Sequence, residues 1–149
     1  MTSLYEQLNQ AFKAALKGQQ PVAASTLRML KSGIHYREVE LKRSLSEDEL
    51  LAVVATQAKQ RREAMAEFAK AGRPELAKKE EEELSILLSF LPRQLSSAEC
   101  EAEVSGIIEE LGASGPKDLG RVMKAAMARL AGRADGKVIQ EIARQRLSS

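Results

Sequence analysis

The sequence is poor in the residues on which many kinds of functional site depend. It contains one cysteine, one histidine and no tryptophan, and aromatic residues make up 3% of the chain. A single cysteine excludes an internal disulfide, and one histidine with one cysteine cannot supply the usual ligand set of a zinc site. The sequence therefore predicts neither a metal site nor a small-molecule cofactor.

Long apolar segments are also missing. The longest uninterrupted apolar run covers residues 50–55, whereas about 20 residues are needed to span a bilayer. Residues 1–20 contain no apolar core of signal-peptide length. From these observations we expect a cytoplasmic protein that makes no contact with membranes.

Helix-forming residues are abundant. Ala, Leu, Glu, Lys, Arg and Gln dominate the sequence, and apolar positions recur every three or four residues. The pattern predicts an all-α fold of seven helices, in which capping boxes at Ser46–Glu49 and Ser96–Glu99 begin two helices and Pro92 ends the fourth. We expect a four-helix bundle-like module over residues 1–92 and a small three-helix module over residues 96–149.

Charge is distributed unevenly along the chain, although the net charge is only +2. Residues 75–110 carry three Lys and Arg against ten Asp and Glu, whereas residues 115–149 carry eight against three. The run Glu80–Glu83 is predicted to form a solvated acidic helix face. The basic last third indicates a polyanionic partner, and a merely solvated basic face is the alternative interpretation.

A short turn near the end of the chain, LAGRADGKV over residues 130–138, combines two glycines, two cations and one carboxylate. It is not a phosphate loop, because that motif needs four residues between its glycines, a Ser or Thr after the lysine and a preceding buried strand. Gly132 is instead predicted to cap one helix and Asp135 to cap the next. Phosphate oxygens are expected to be favoured beside Gly136 and Lys137, at the positive end of the last helix.

Cations surround this turn on its two flanking helices. The predicted nucleic-acid-binding residues are Arg121, Lys124, Arg129, Arg133, Lys137 and Arg144, and the predicted structural turn residues are Gly120, Gly132, Asp135 and Gly136. Because residues 115–149 contain no aromatic side chain, recognition is expected through the phosphate backbone and shape rather than through base stacking. No arrangement of nucleophile and base marks a catalytic site.

Several segments resemble the GatB/YqeY family. GRVMK at residues 120–124 and GRADGKVI at residues 132–139 are similar to the G-x-V-M-K and G-[KR]-A-[DN]-x-K signatures of that family, although residues 138–140 depart from a common Leu-Val-Asn. Further segments are similar to stand-alone YqeY-like proteins, namely residues 27–32, 59–62, 68–73 and 91–96. The resemblance covers essentially the whole chain.

The resemblance implies a link to tRNA. In glutamine-dependent aminoacyl-tRNA amidotransferases, which are carbon–nitrogen ligases with glutamine as amide donor, the GatB subunit ends in a domain similar to residues 96–147 that grips the tRNA body. A non-catalytic tRNA-binding or tRNA-associated accessory protein, with a protein partner in aminoacyl-tRNA amidation, is therefore expected. A protein–protein interaction module without RNA binding is the alternative, and an enzyme acting alone ranks last.

Overall fold

A computed structural model describes residues 3–130 and 132–148. These residues form α-helices and no strand, which confirms the predicted all-α class. A 3-10 turn at Pro116–Asp118 precedes α6. The helices are α1 Leu4–Lys17, α2 Pro21–Leu41, α3 Glu47–Lys70, α4 Pro74–Leu88, α5 Ser97–Leu111, α6 Leu119–Leu130 and α7 Gly136–Ser148. The bundle-like arrangement of the first four helices stays a prediction.

The chain divides into two compact units, Met1–Pro92 and Arg93–Ser149, which we call the N-terminal and the C-terminal unit. Each unit has its own core of buried apolar side chains. In the N-terminal unit the largest of these are Leu8, Leu30, Val54 and Leu87. In the C-terminal unit they are Val104, Ile107, Val122, Leu130 and Ile139. Burial of these side chains is the main stabilising term in each unit.

Two of the helix starts carry the capping boxes that the sequence predicts, and the structure confirms both. The Ser46 hydroxyl accepts the Glu49 N–H at 3.2 Å, and the Glu49 carboxylate accepts the Ser46 N–H at 2.9 Å. Ser96 and Glu99 make the same reciprocal pair at 3.2 and 3.0 Å. Each pair satisfies two N–H groups that a helix start would otherwise leave without a partner.

The end of α4 differs from the prediction. The helix stops at Leu88 rather than continuing to Pro92. The next residues form tighter turns, in which Phe90 N–H donates to the Leu87 carbonyl and Leu91 N–H to the Leu88 carbonyl, both at 3.1 Å. Contact with the Pro92 ring disfavours helical backbone angles at Leu91, and Pro92 has no N–H to donate to the Leu88 carbonyl, so the helix does not extend to the proline.

Candidate nucleic-acid interface

The connection between α6 and α7 is a short turn closed by backbone and side-chain hydrogen bonds. Gly132 has a φ of +75°, a left-handed conformation that side chains disfavour. The Arg133 N–H donates to the Leu130 carbonyl at 2.9 Å, which closes the end of α6. The Asp135 carboxylate accepts the Lys137 N–H at 3.1 Å, as an N-cap of α7 does. Ala131 lies outside the described residues.

The residues that enter the C-terminal unit lie against this turn. The Leu95 N–H donates to the Arg133 carbonyl at 2.9 Å, and the Gln94 side-chain amide donates to the Gly132 carbonyl at 2.6 Å. In return, Nε of Arg133 donates to the Arg93 carbonyl at 3.5 Å, a long hydrogen bond. These contacts join residues about 40 positions apart and hold the turn from outside. The sequence analysis did not anticipate them.

Arg93 has a second partner within the same unit. Its guanidinium binds both oxygens of the Glu99 carboxylate, at 3.1 and 2.8 Å, in the two-pronged geometry that suits arginine. Glu99 is the same residue that closes the capping box of α5. The hydrogen bond from Arg93 is the largest of the effects that hold the pKa of Glu99 at about 2, and the Ser96 N–H adds to it.

Two of the six predicted nucleic-acid-binding cations face α5. Arg121 donates to the Leu111 carbonyl at the end of α5, at 3.2 Å, and lies 3.4 Å from the Asp118 carboxylate. Arg129 is hydrogen-bonded to Glu110, whose pKa is lowered chiefly by that contact. The contact of Arg121 with the Leu111 carbonyl places positive charge at the negative end of α5. The structure therefore gives these two cations partners within the unit.

The other cations on the helices lie on outward faces. Lys124 is exposed on α6, and Lys137 and Arg144 are exposed on α7, seven residues apart and so on one helix face. Lys124 and Arg144 have no ion-pair partner among the described residues. Arg133, half-buried in the turn, is hydrogen-bonded to Arg93 as described above. Lys124, Lys137 and Arg144 form what we call the outer cation set.

Two exposed apolar side chains, Met127 and Val138, lie beside the outer cation set. Met127, which is 41% exposed, lies one turn beyond Lys124 on α6. A Cβ atom built on Gly136 would lie 3.6 Å from its terminal methyl group, an ordinary contact distance. The two helices therefore approach each other where Met127 meets Gly136, next to Lys137. α6 and α7 also share the core of the C-terminal unit, through Val122, Ala126, Ile139 and Ala143.

One expectation about the turn needs correction, and another stays a prediction. Gly120 is predicted to be a turn glycine, but it lies inside α6, because the 3-10 turn at Pro116–Asp118 starts the helix before it. The expectation that phosphate is favoured beside Gly136 and Lys137 stays a prediction, and one observation weighs against the helix start itself. The Asp135 carboxylate already occupies the Lys137 N–H there, and its negative charge opposes a second anion. The cationic side chains, rather than the helix start, remain as the candidates for phosphate contact.

The acidic run of α4 also differs from its predicted solvated face. Arg61 on α3 donates to the carboxylates of Glu80 and Glu83, at 2.9 and 3.2 Å, and the three side chains are at most 20% exposed. Burial is the largest effect on Glu80 and raises its pKa. Glu81 and Glu82 remain exposed. Arg61 therefore joins α3 to α4, and this cluster is an ion-pair network in the N-terminal unit.

The described part of the chain holds no group of three or more His, Cys, Asp and Glu residues that could bind a metal ion. Nor does any helix of residues 3–130 and 132–148 combine the length and the apolar character needed to cross a membrane.

Comparison with known proteins shows related sequences. A family model described as Yqey-like protein matches residues 5–147. An uncharacterized protein of Schizosaccharomyces pombe is 35% identical over 83 residues, which cover 56% of this chain and 68% of that protein. Altered inheritance of mitochondria protein 41, mitochondrial, of Lachancea thermotolerans is 31% identical over 112 residues. That match covers 73% of this chain and 60% of the relative, which is less than two thirds of its length.

Proposed function

The chain belongs to the YqeY-like family, and from that premise we propose that it is a non-catalytic accessory protein that binds tRNA through its C-terminal unit. The observation that carries the proposal is the outer cation set. These three cations project from two helices whose connection is fixed by hydrogen bonds from Gln94 and Leu95. Cations carried on two helices with a hydrogen-bonded connection suit contact with phosphates, which position a protein on nucleic acid without reading its sequence.

The choice of tRNA rests on the resemblance of residues 120–139 to the tail domain of GatB. The C-terminal unit supplies cations but no aromatic side chain. Stacking on unpaired bases is therefore absent from this unit, and contact with the backbone of a folded RNA is the mode that remains. The chemistry of aminoacyl-tRNA amidation would come from a protein partner, with this chain holding the RNA.

The experiment is a salt titration of tRNA binding with the whole protein. Each phosphate contact that is lost should reduce the slope of log affinity against log salt by about one. Replacing Lys124, Lys137 and Arg144 by alanine should therefore reduce the slope by roughly two to three. Helix content, measured by circular dichroism, should not change, because the three side chains are exposed.

The matched control removes the same charge elsewhere. Lys70, Lys78 and Lys79 are exposed in the N-terminal unit, and their triple alanine variant should leave the slope unchanged. Equal slopes for wild type and the outer-cation variant would contradict the proposal. So would an absence of tRNA binding at low salt. Duplex DNA, as a competitor, should displace tRNA poorly if the shape of tRNA is recognised.

A protein–protein interaction module is the second candidate function. Its support is an exposed apolar stripe on α2 formed by Met29, Tyr36 and Val39, which are 51%, 69% and 62% exposed. Exposed apolar residues grouped on one element are typical of surfaces that bind other proteins. A protein that fails to bind tRNA, but whose binding of a partner protein is lost in a Tyr36→Glu variant, would favour this candidate.

A further inference from the structure

A pocket in the N-terminal unit lies between α1 and α2. It has a volume of about 200 Å³. Its floor is apolar, formed by Leu8 and Ile34, which are 1% and 2% exposed. Polar side chains surround the floor, and they are Tyr5 and Asn9 from α1 and Lys31, His35 and Glu38 from α2. Residues spaced by three, four and seven positions share one helix face, so each helix presents its set to the same pocket.

Most of these polar side chains have no partner among residues 3–130 and 132–148. Those that make no hydrogen bond or ion pair within the described part of the chain are Tyr5, Asn9, His35 and Glu38. By contrast, Arg61, Arg93 and Arg129 are all paired with carboxylates. A set of unpaired donors and acceptors around an apolar floor is the usual composition of a small-molecule site.

Lys31 does have a partner, the Phe12 ring, and this contact places its ammonium group at one end of the pocket. Its Nζ lies 4.8 Å from the centre of the Phe12 ring, a cation–π contact that leaves the ammonium N–H groups available to an anion. Glu38 lies seven residues further along α2, about 10 Å away along the helix axis at 1.5 Å per residue. The pocket thus has a cationic end and an anionic end.

We propose that this pocket binds a single nucleotide whose base carries an exocyclic amino group. The base would stack on the Tyr5 ring, and its exocyclic amino group would donate a hydrogen bond to the Glu38 carboxylate. The Asn9 amide can donate to or accept from the edge of the base. The phosphate would lie at Lys31. A free amino acid without a charged side chain does not fit, because its ammonium and carboxylate share one carbon and cannot reach both charged ends.

The pocket volume also limits the ligand. Sites for drug-sized ligands occupy roughly 300–1,000 Å³, so a pocket of about 200 Å³ takes one ring system rather than a stacked pair. The nucleotide can be free or can be an unpaired residue of an RNA chain. As an inference about an unpaired RNA residue, it deepens the proposed function and rests on it. The aromatic side chains of the N-terminal unit then supply the stacking that the C-terminal unit lacks.

The test uses labelled single-stranded RNA hexamers of A, C or U and the whole protein, with binding followed by fluorescence anisotropy. The A and C hexamers should bind more tightly than the U hexamer, because uracil has no exocyclic amino group. A Tyr5→Leu variant should lose roughly 5- to 150-fold in affinity for the A hexamer, which is the value of one base–aromatic stack of about 1–3 kcal/mol. Competition by AMP, but not by UMP, would identify a free nucleotide as a source.

Matched controls separate the pocket from general exposure. Tyr36 is 69% exposed on the same helix pair but does not line the pocket, so Tyr36→Leu should not affect binding. Glu38→Gln should remove the preference for A and C over U, whereas Glu82→Gln on α4 should not. Equal losses for the two tyrosine variants, or no loss for either, would overturn the inference.

Failure of the inference can be told apart from failure of the proposed function. If hexamer binding is independent of Tyr5 while the tRNA salt slope still depends on the outer cation set, the pocket inference is overturned and the proposed function stands. If hexamer binding depends on Tyr5 while the tRNA slope is unaffected by the outer cations, the pocket inference stands and the proposed function fails.

Discussion

Two helix starts, one in each unit, share the pattern Arg-x-Leu-Ser-x-x-Glu, at residues 43–49 and 93–99. In both, the serine and glutamate form a capping box, and the arginine binds both oxygens of that glutamate. Leu45 and Leu95, which precede the serines, pack on the core of their own unit. The local structure of the two starts is therefore nearly the same.

The two starts differ in what they hold. In the N-terminal unit, the carboxylate of Glu47 accepts the Leu4 N–H at 2.8 Å and so joins the start of α3 to the start of α1. In the C-terminal unit, Gln94 and Leu95 bind the α6–α7 turn instead. The comparison teaches that one local motif can support different distant contacts, and that only the second supports the candidate interface.

The largest effect on stability is expected at the α6–α7 turn, which Gln94 and Leu95 bind in the C-terminal unit. A Gly132→Ala substitution should destabilise the C-terminal unit by about 1–2 kcal/mol, because its φ of +75° is left-handed. Gly120→Ala is the matched control. Gly120 lies in α6 with open space around it, so alanine there should stabilise by up to about 1 kcal/mol. Urea unfolding should give opposite signs, and equal signs would contradict the assignment of the two glycines.

A smaller effect on stability is expected at the residue after the arginine of the motif, which is Ser44 in the N-terminal unit and Gln94 in the C-terminal unit. Gln94→Ala removes the donor to the Gly132 carbonyl and should destabilise by about 1 kcal/mol, the usual value of a single hydrogen bond. The Ser44 side chain forms no hydrogen bond among the described residues, so Ser44→Ala should change stability by less than about 0.5 kcal/mol. Hydrogen exchange at the Arg133 amide should increase only in the Gln94 variant. A uniform response to both substitutions would show that the two starts do not differ as described.

The smallest effect is expected at low pH, and it should be the same in both starts. Hydrogen bonds from Arg43 and Arg93 are the main cause that holds the pKa of Glu49 and of Glu99 at about 2 in the folded protein. The contribution of each carboxylate to stability is complete above its ordinary pKa and is lost as pH falls from about 4.5 toward 2. Arg43→Gln and Arg93→Gln should each raise the pKa of their own glutamate, as measured by NMR titration.

A control for the pH experiment is Arg37→Gln. Arg37 pairs with Glu40 on α2 and contacts neither cap, so the pKa values of Glu49 and Glu99 should not change. If Arg93→Gln shifts both glutamates, or neither, the arginine–carboxylate pairs do not act as two separate local contacts.

The sequence contains more of this comparison than the capping boxes alone. An arginine stands three residues before each serine, and the same pattern recurs 50 positions later. Such a repeat is detectable without a structure. By contrast, no local pattern marks Gln94 as the partner of Gly132, because the two residues are 38 positions apart.

The sequence by itself determined the helices and most of their boundaries, the end of α4 at Leu88 being an exception. Caps, prolines and apolar periodicity act within a few residues, so Ser46, Ser96 and Gly132 could be assigned from their neighbours alone. It also determined the contrast in composition, with every aromatic residue before Pro92 and a basic last third.

Only the tertiary structure decided which charges are paired. Arg61 with Glu80 and Glu83, Arg121 with the end of α5, and Arg129 with Glu110 are contacts between different helices. Helical periodicity places a cation on a face, but the partner on the neighbouring helix depends on how the two helices pack. For that reason the sequence grouped six cations in one interface, without separating Arg121 and Arg129, which have partners at α5, from Lys124 and Arg144, which have no ion-pair partner among the described residues.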